Sequence, residues 1–151
     1  MNQPERMTLA LDRSELTNLV FSFTQAVDRA DYQTMKSCCG PAFRARAADR
    51  GGVIIDVDSI DGFVALLQKA ALVNPAAESQ HRYFCPTIDV EADSAEIRLS
   101  GELHNAGGEQ DSSAYRVSGL QTTYRAIRTA PGWRLVVLDV LYQWRQEGGQ
   151  A

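Results

Sequence analysis

The sequence predicts a single α+β domain in which three N-terminal helices pack on one face of a strongly curved, mostly antiparallel sheet. Three observations lead there. Apolar residues in the first half recur at helical spacing. After Pro75 the pattern shifts to four long segments rich in β-branched and aromatic residues. No repeat, low-complexity tract or linker divides the 151 residues, a length suited to one domain. Helices followed by a strand meander collect the helices on one side of the sheet.

Residues 1–11 read as a loosely attached arm, 12–146 as the domain and 147–151 as a C-terminal tail. Asp12, with Glu15 three residues on, has the chemistry of a helix N-cap. Leu16, Leu19, Val20, Phe23 and Val27 then form one amphipathic stripe. Asp31 caps a short second helix that Gly40-Pro41 stops, and Arg44 to Gly52 reads as irregular and polar. Val53 to Val57 suits a short strand. Asp58 or Ser59 caps a third helix carrying Ile60, Phe63, Val64, Leu67 and Ala71, which ends at Asn74-Pro75.

The predicted long strands are 80–91, 94–105, 114–129 and 132–145. Glu91-Ala92-Asp93 and Ala130-Pro131-Gly132 make tight turns, and Gly107-Gly108 sits in a longer loop. The last strand is apolar on both faces, which places it centrally.

Composition removes several classes. Hydrophobic residues at 44% and charged residues at 23% describe an ordinary globular chain, so disorder is excluded. No apolar run approaches the ~20 residues that span a bilayer, and no signal-peptide core precedes Leu11, so a cytoplasmic location and no membrane partner are expected. Thirteen of the 15 basic residues are Arg, scattered along a chain of net charge −4, which argues against a nucleic-acid partner. Cys38, Cys39 and Cys85 suit free thiols better than a disulfide framework.

Few residues could carry chemistry. His81, Tyr83 and Cys85 share one face of a strand, where His81 is either a pocket wall or an exposed residue at a strand start. Asp28 ends the first helix, where the helix dipole disfavours a carboxylate. It either pairs with a group such as an imidazole or is a solvated acid beside Arg29. Asp139 interrupts the most apolar strand and is either ion-paired across the sheet or at a pocket floor. Tyr124, Trp133, Tyr142 and Trp144 could line a cavity or form plain core. No metal motif is present, and Cys85 lies roughly 13 Å along the strand from His81, too far for a Cys–His nucleophile.

Several motifs, in order, carry a family resemblance. They are Ala26-Val-Asp28-Arg-Ala-Asp31-Tyr32, then Cys38 and Pro41, Ser79-Gln80-His81, Gly132-Trp133-Arg134, and Tyr142-Gln-Trp144-Arg145. Over about residues 13–146 the chain resembles SnoaL-like proteins of the nuclear transport factor two-like superfamily, and within it scytalone dehydratase. The resemblance implies a cone-shaped fold enclosing a pocket, no cofactor, and Asp28 and His81 meeting there as a catalytic dyad. The aspartate would orient the imidazole and raise its basicity, and His81 would move a proton. It further implies substrate contacts from His104 and Gln121, beside Tyr83, Tyr124, Tyr142 and Trp144. The dehydratase carries carbonyl-polarising tyrosines where this chain has Val27 and Ala47.

The leading expectation is a cofactor-free lyase or isomerase acting on a small hydrophobic oxygenated ring compound. The alternatives are a non-catalytic module binding a hydrophobic ligand and an assembly subunit resembling the small subunit of ring-hydroxylating dioxygenases. In each case a homodimer or homotrimer is expected, because the open face of such a sheet needs cover.

Overall fold

The computed structural model describes residues 1–75, 77–107 and 113–148. Helix α1 (Gln3–Asp28) begins well before Asp12. The Asn2 side chain accepts the Glu5 backbone N–H at 3.0 Å, and the Glu5 carboxylate accepts the Asn2 N–H at 2.8 Å. This capping box, with Pro4 in the first turn, starts the helix without tertiary help. Residues 3–11, expected to be a loose arm, are therefore the opening turns of α1.

Asp12 is no cap. It is buried, and its carboxylate accepts two bonds from the Arg128 guanidinium, both 2.9 Å, and one from the Trp133 indole N–H at 3.2 Å. The guanidinium also lies 4.4 Å from the centre of the Trp133 ring. An aspartate just ahead of an apolar stripe looks the same in sequence whether it caps a helix or ties it to a sheet.

Helix α2 (Tyr32–Cys38) is capped by Asp31, which accepts from the Thr34 backbone N–H and hydroxyl. The chain then enters β1 (Cys39–Asp49), so the segment 44–49, expected to be irregular, is a strand. Phe43, Ala45 and Ala47 point inward and Arg44 and Arg46 outward, a period-two pattern muted by alanine's weak strand preference. Strand β2 (Gly52–Val57) returns as a hairpin, and α3 (Ile60–Val73) follows with Ser59 as its N-cap.

Four long strands complete the domain: β3 (Glu78–Glu91), β4 (Ser94–Ala106), β5 (Tyr115–Thr129) and β6 (Gly132–Gly148). The expected tail overlaps β6 at residues 147 and 148. Residues 149–151 and Gly108 of the glycine loop lie outside the described residues. The sheet order is β2-β1-β6-β5-β4-β3, antiparallel except for β1 beside β6, and β6 is central as its two apolar faces require.

Bulges bend this sheet around the helices. In β6, Val137 pairs with Arg125 and Leu135 with Ala126, leaving Val136 as the extra residue. The insertion flips the alternation. Leu138, Val140 and Tyr142 therefore face the helices, while Asp139 falls on the outer face, exposed, in register with Arg46 and Thr123. Asp139 is thus not at the floor of the cavity, and among the described residues it forms no ion pair. In β3 a second bulge carries Cys85 into positive φ and exposes it, off the face shared by His81 and Tyr83.

Phe23 of α1 is the centre of the core. Its ring lies 6.0 Å from Phe43 of β1, 6.4 Å from Phe63 of α3 and 6.1 Å from Tyr124 of β5. One side chain thereby joins four elements.

The Asp12 contacts generate a prediction. The Arg128 hydrogen bonds hold the Asp12 carboxyl below its ordinary range, outweighing burial, with the Trp133 bond acting in the same direction. Its stabilising contribution is complete above the ordinary carboxylate pKa of about 3.9 and is lost as pH falls through the lower folded value. Asp12→Ala is expected to cost about 2–3 kcal/mol and lower Tm by roughly 5–10 °C at neutral pH. Melts across an acid series should show the gap to wild type closing below about pH 4.

Candidate active site

The last turn of α1 and the start of β3 meet through one carboxylate. Asp28 Oδ2 accepts the His81 backbone N–H at 2.8 Å, and Asp28 Oδ1 accepts from His81 Nδ1 at 2.5 Å. β3 is an edge strand, so the N–H that Asp28 takes has no neighbouring strand to pair with. The two side chains are only 15% and 17% exposed, which limits competition from water. An ionised carboxylate only accepts hydrogen bonds, so Nδ1 carries the hydrogen and Nε2 of the neutral ring carries a lone pair. Among the described residues Nε2 has no hydrogen-bond partner.

Beside this pair is a cavity of about 620 Å³, within the range that holds small-molecule ligands. Apolar side chains of α1, α3 and β6 form much of its wall, among them Phe23, Val27, Phe63, Leu67 and Val140. The polar groups Thr24, Asp28, His81, Tyr83, Asn105, Tyr124 and Tyr142 converge on it. The His81 and Tyr83 rings are stacked at 30°, with centroids 5.9 Å apart. Burial pushes the Tyr83, Tyr124 and Tyr142 hydroxyls above the usual tyrosine range. They therefore keep their protons around neutral pH and act as hydrogen-bond donors.

The structure brings Asp28, His81, Tyr83, Tyr124 and Tyr142 together and leaves three expected residues outside the cavity. His104 lies on the opposite face of β4, bonded at 2.8 Å to Glu102, and borders a second hollow with Gln25, Arg29 and Arg82 that also touches Asp28 and His81. Gln121 is exposed on the outer face of β5, donating to Ser100 and Gln143. Trp144 is also on the outer face, half-exposed, with its indole over Gly119. Trp133 belongs to the core beside Asp12.

Strand parity explains these placements and reveals a residue missed in sequence. His81 pairs with Leu103, so the inward positions of β4 are odd-numbered, and Asn105 rather than His104 reaches the cavity. Among the described residues no cluster of three or more His, Cys, Asp or Glu is placed to hold a metal ion. Desolvation pushes the thiols of buried Cys38 and half-buried Cys39 upward, away from the reactive thiolate. No helix is long and apolar enough to cross a membrane among the described residues.

A family model of the SnoaL-like domain matches residues 8–139. The chain belongs to the SnoaL-like domain family. No curated protein matches it in sequence. Solved structures similar to this SnoaL-like domain include hexachlorocyclohexane dehydrochlorinase type 3 from Novosphingobium barchaimii, at TM-score 0.79 and 12% identity, covering 97% of this chain and 96% of the other. A proposed scytalone dehydratase from Novosphingobium aromaticivorans is similar at TM-score 0.79 and 10% identity, covering 97% and 93%. An NTF2-like protein with a cystatin-like fold from the same species matches at TM-score 0.67 and 21% identity, covering 93% and 88%. These likenesses establish the NTF2-like cone as the fold of the SnoaL-like domain.

The bidentate Asp28 contact predicts the tautomer. In long-range ¹H–¹⁵N spectra of the neutral imidazole, His81 should show a protonated Nδ1 and an unprotonated Nε2. Asp28→Asn replaces one acceptor oxygen with a donor, so one of the two His81 N–H groups loses its acceptor. The variant should show a mixed or reversed tautomer, and an unchanged spectrum would contradict the orienting role.

Proposed function

We propose that this SnoaL-like domain is a cofactor-free lyase or isomerase acting on a small hydrophobic oxygenated ring compound. The observation that carries the reading is the free Nε2 lone pair of His81, held by Asp28 at the wall of a mostly apolar cavity. His81 Nε2 takes a proton from a ring carbon next to an electron-withdrawing group, and the C–H electron pair becomes a C=C bond. In elimination, a neighbouring C–O bond breaks and the departing oxygen takes the proton from the imidazolium as water. In isomerisation, the imidazolium returns the proton to another carbon. Either course leaves the protein unchanged, and Asp28 faces the imidazolium while it carries charge.

The names of two similar structures, a dehydrochlorinase and a proposed dehydratase, both describe loss of H–X from adjacent carbons. They support general-base elimination as the reaction class here. A second reading, a non-catalytic ligand-binding or assembly module, is favoured by Val27 and Ala47. Both line the cavity where the dehydratase carries tyrosines. Turnover separates the two readings, since thermal-shift screening with cyclic ketones and aromatic polyols finds ligands under either. On a substrate so found, His81→Ala and Asp28→Asn are each expected to lower kcat/KM by about 10²-fold or more. Activity surviving both changes would sink the mechanism.

The domain is further proposed to work as a homodimer or homotrimer. Leu141 and Trp144 stand 47% and 48% exposed on the outer sheet face, near Arg46 and Asp139, whose opposite charges suit a second copy of the chain. Light scattering should return two or three times the chain mass of 16.6 kDa, and a stable monomer would refute the assembly.

A further inference from the structure

Helix α3 is held at one end. Phe63 and Val64 are its buried residues, and Lys36 of α2 pairs with Asp61 in its first turn at 2.5 Å. From Ala65 to Val73 only Leu67 is half-buried, and the rest are exposed. These last turns carry apolar residues on both faces. Leu67, Ala70, Ala71 and Asn74, at i, i+3, i+4 and i+7, line the cavity. Leu66, Lys69, Leu72 and Val73, at i, i+3, i+6 and i+7, stand on the other face, toward solvent.

A helix that is apolar all round is normally buried. Here Leu72 is 83% and Val73 79% exposed, more than any other large apolar side chain among the described residues. Single surface leucines need no explanation, but adjacent apolar residues this exposed mark a contact surface. The cavity also reaches the surface here, since Ala70, Ala71, Asn74 and Pro75 line it and are themselves exposed. The apolar helix end is the rim of the cavity mouth.

Three observations choose what covers this rim. The second copy proposed above sits on the outer face of the sheet, whereas α3 packs on the cavity side and stays uncovered by it. The exposed helix face holds aliphatic side chains and one lysine, without the Trp, Tyr or Arg anchors that concentrate binding energy in protein interfaces. From Gly62 to Pro75 the one charged residue is Lys69, an acid-free stretch in a chain of net charge −4. Aliphatic side chains around a lysine suit a bilayer surface. The apolar groups enter the headgroup boundary, and the ammonium meets anionic lipid.

We propose that the end of α3 docks on an anionic lipid surface, so that a hydrophobic ligand dissolved in the bilayer enters the cavity beside it. The expectation of no membrane partner rested on the lack of a spanning segment, which leaves surface contact open. An apolar helix face lies in the plane of the interface and spans nothing. The hydrophobic ligand of the reading above gives the contact its use, but the docking does not depend on proton abstraction. With few side chains inserted, the binding is weak and reversible.

Co-sedimentation with lipid vesicles tests the docking. Wild type should pellet with vesicles of phosphatidylcholine and phosphatidylglycerol mixed about two to one, and less with phosphatidylcholine alone. Leu72→Glu combined with Val73→Glu should lower the partition coefficient about ten-fold or more. Both side chains are exposed, so the variant should fold, which an unchanged Tm verifies. Lys69→Gln should weaken binding to the mixed vesicles several-fold and leave binding to phosphatidylcholine alone unchanged. His81→Ala, which removes the proposed base, should pellet like wild type.

No pelleting of the wild type overturns the docking, and so does equal pelleting of the double variant. Equal pelleting of wild type with both vesicle types overturns the choice of anionic lipid. A fall in the light-scattering mass of the double variant without vesicles also overturns the proposal, because a second copy then covers this face. If wild type and His81→Ala pellet alike while neither turns over any ligand, the proton-abstraction reading fails and the docking stands.

Discussion

The Asp28 carboxylate is the joint on which the site depends. It ends α1, where the helix dipole offers it no stabilisation, and it meets the edge strand β3, whose outward N–H groups have no strand to pair with. Each of these would be unfavourable alone. Together they form one bidentate contact, with a backbone N–H on one oxygen and an imidazole N–H on the other. Because both donors belong to His81, the contact fixes strand position and ring orientation at once, and it leaves the remaining nitrogen available to a ligand.

The cavity beside this joint follows from where bulk is placed and withheld. Phe23, Phe43, Phe63 and Tyr124 fill the core beside the cavity with four packed rings. Elsewhere the cavity lining carries Ala45, Ala47, Ala70 and Ala71, whose small side chains leave volume unfilled. Interiors are otherwise packed about as densely as organic crystals, so a void of this size is built in by small residues. The Val136 bulge adds to it by turning Val140 and Tyr142 inward and Asp139 outward. An uncompensated carboxylate is thereby kept off the apolar wall.

The same cone serves structures of different names at 10–21% identity, so the fold alone does not choose a reaction. That choice belongs to the few polar groups on the apolar wall. Here Asp28 and His81 are hydrogen-bonded to each other beside the cavity. The positions that carry tyrosines in the dehydratase are instead aliphatic, and the Tyr83 ring lies beside the imidazole.

Much of this was legible in the chain itself, because it depends on local periodicity. The 3.6-residue stripe from Leu16 to Val27, the caps Asp31 and Ser59, the four long strands and the central place of β6 are all short-range signals. Asp28, at an unfavourable helix end, already asked for a partner. Whatever depends on contact between distant segments was decided by tertiary structure. Asp12 reads as a cap until Arg128 and Trp133, more than 100 residues away, are brought against it. His104, Gln121 and Trp144 read as candidates for the cavity until pairing register and bulges assign their faces, since a shift of one residue reverses every side chain on a strand. Residue type and spacing determined which groups could act; the register of the sheet decided which of them face the same space.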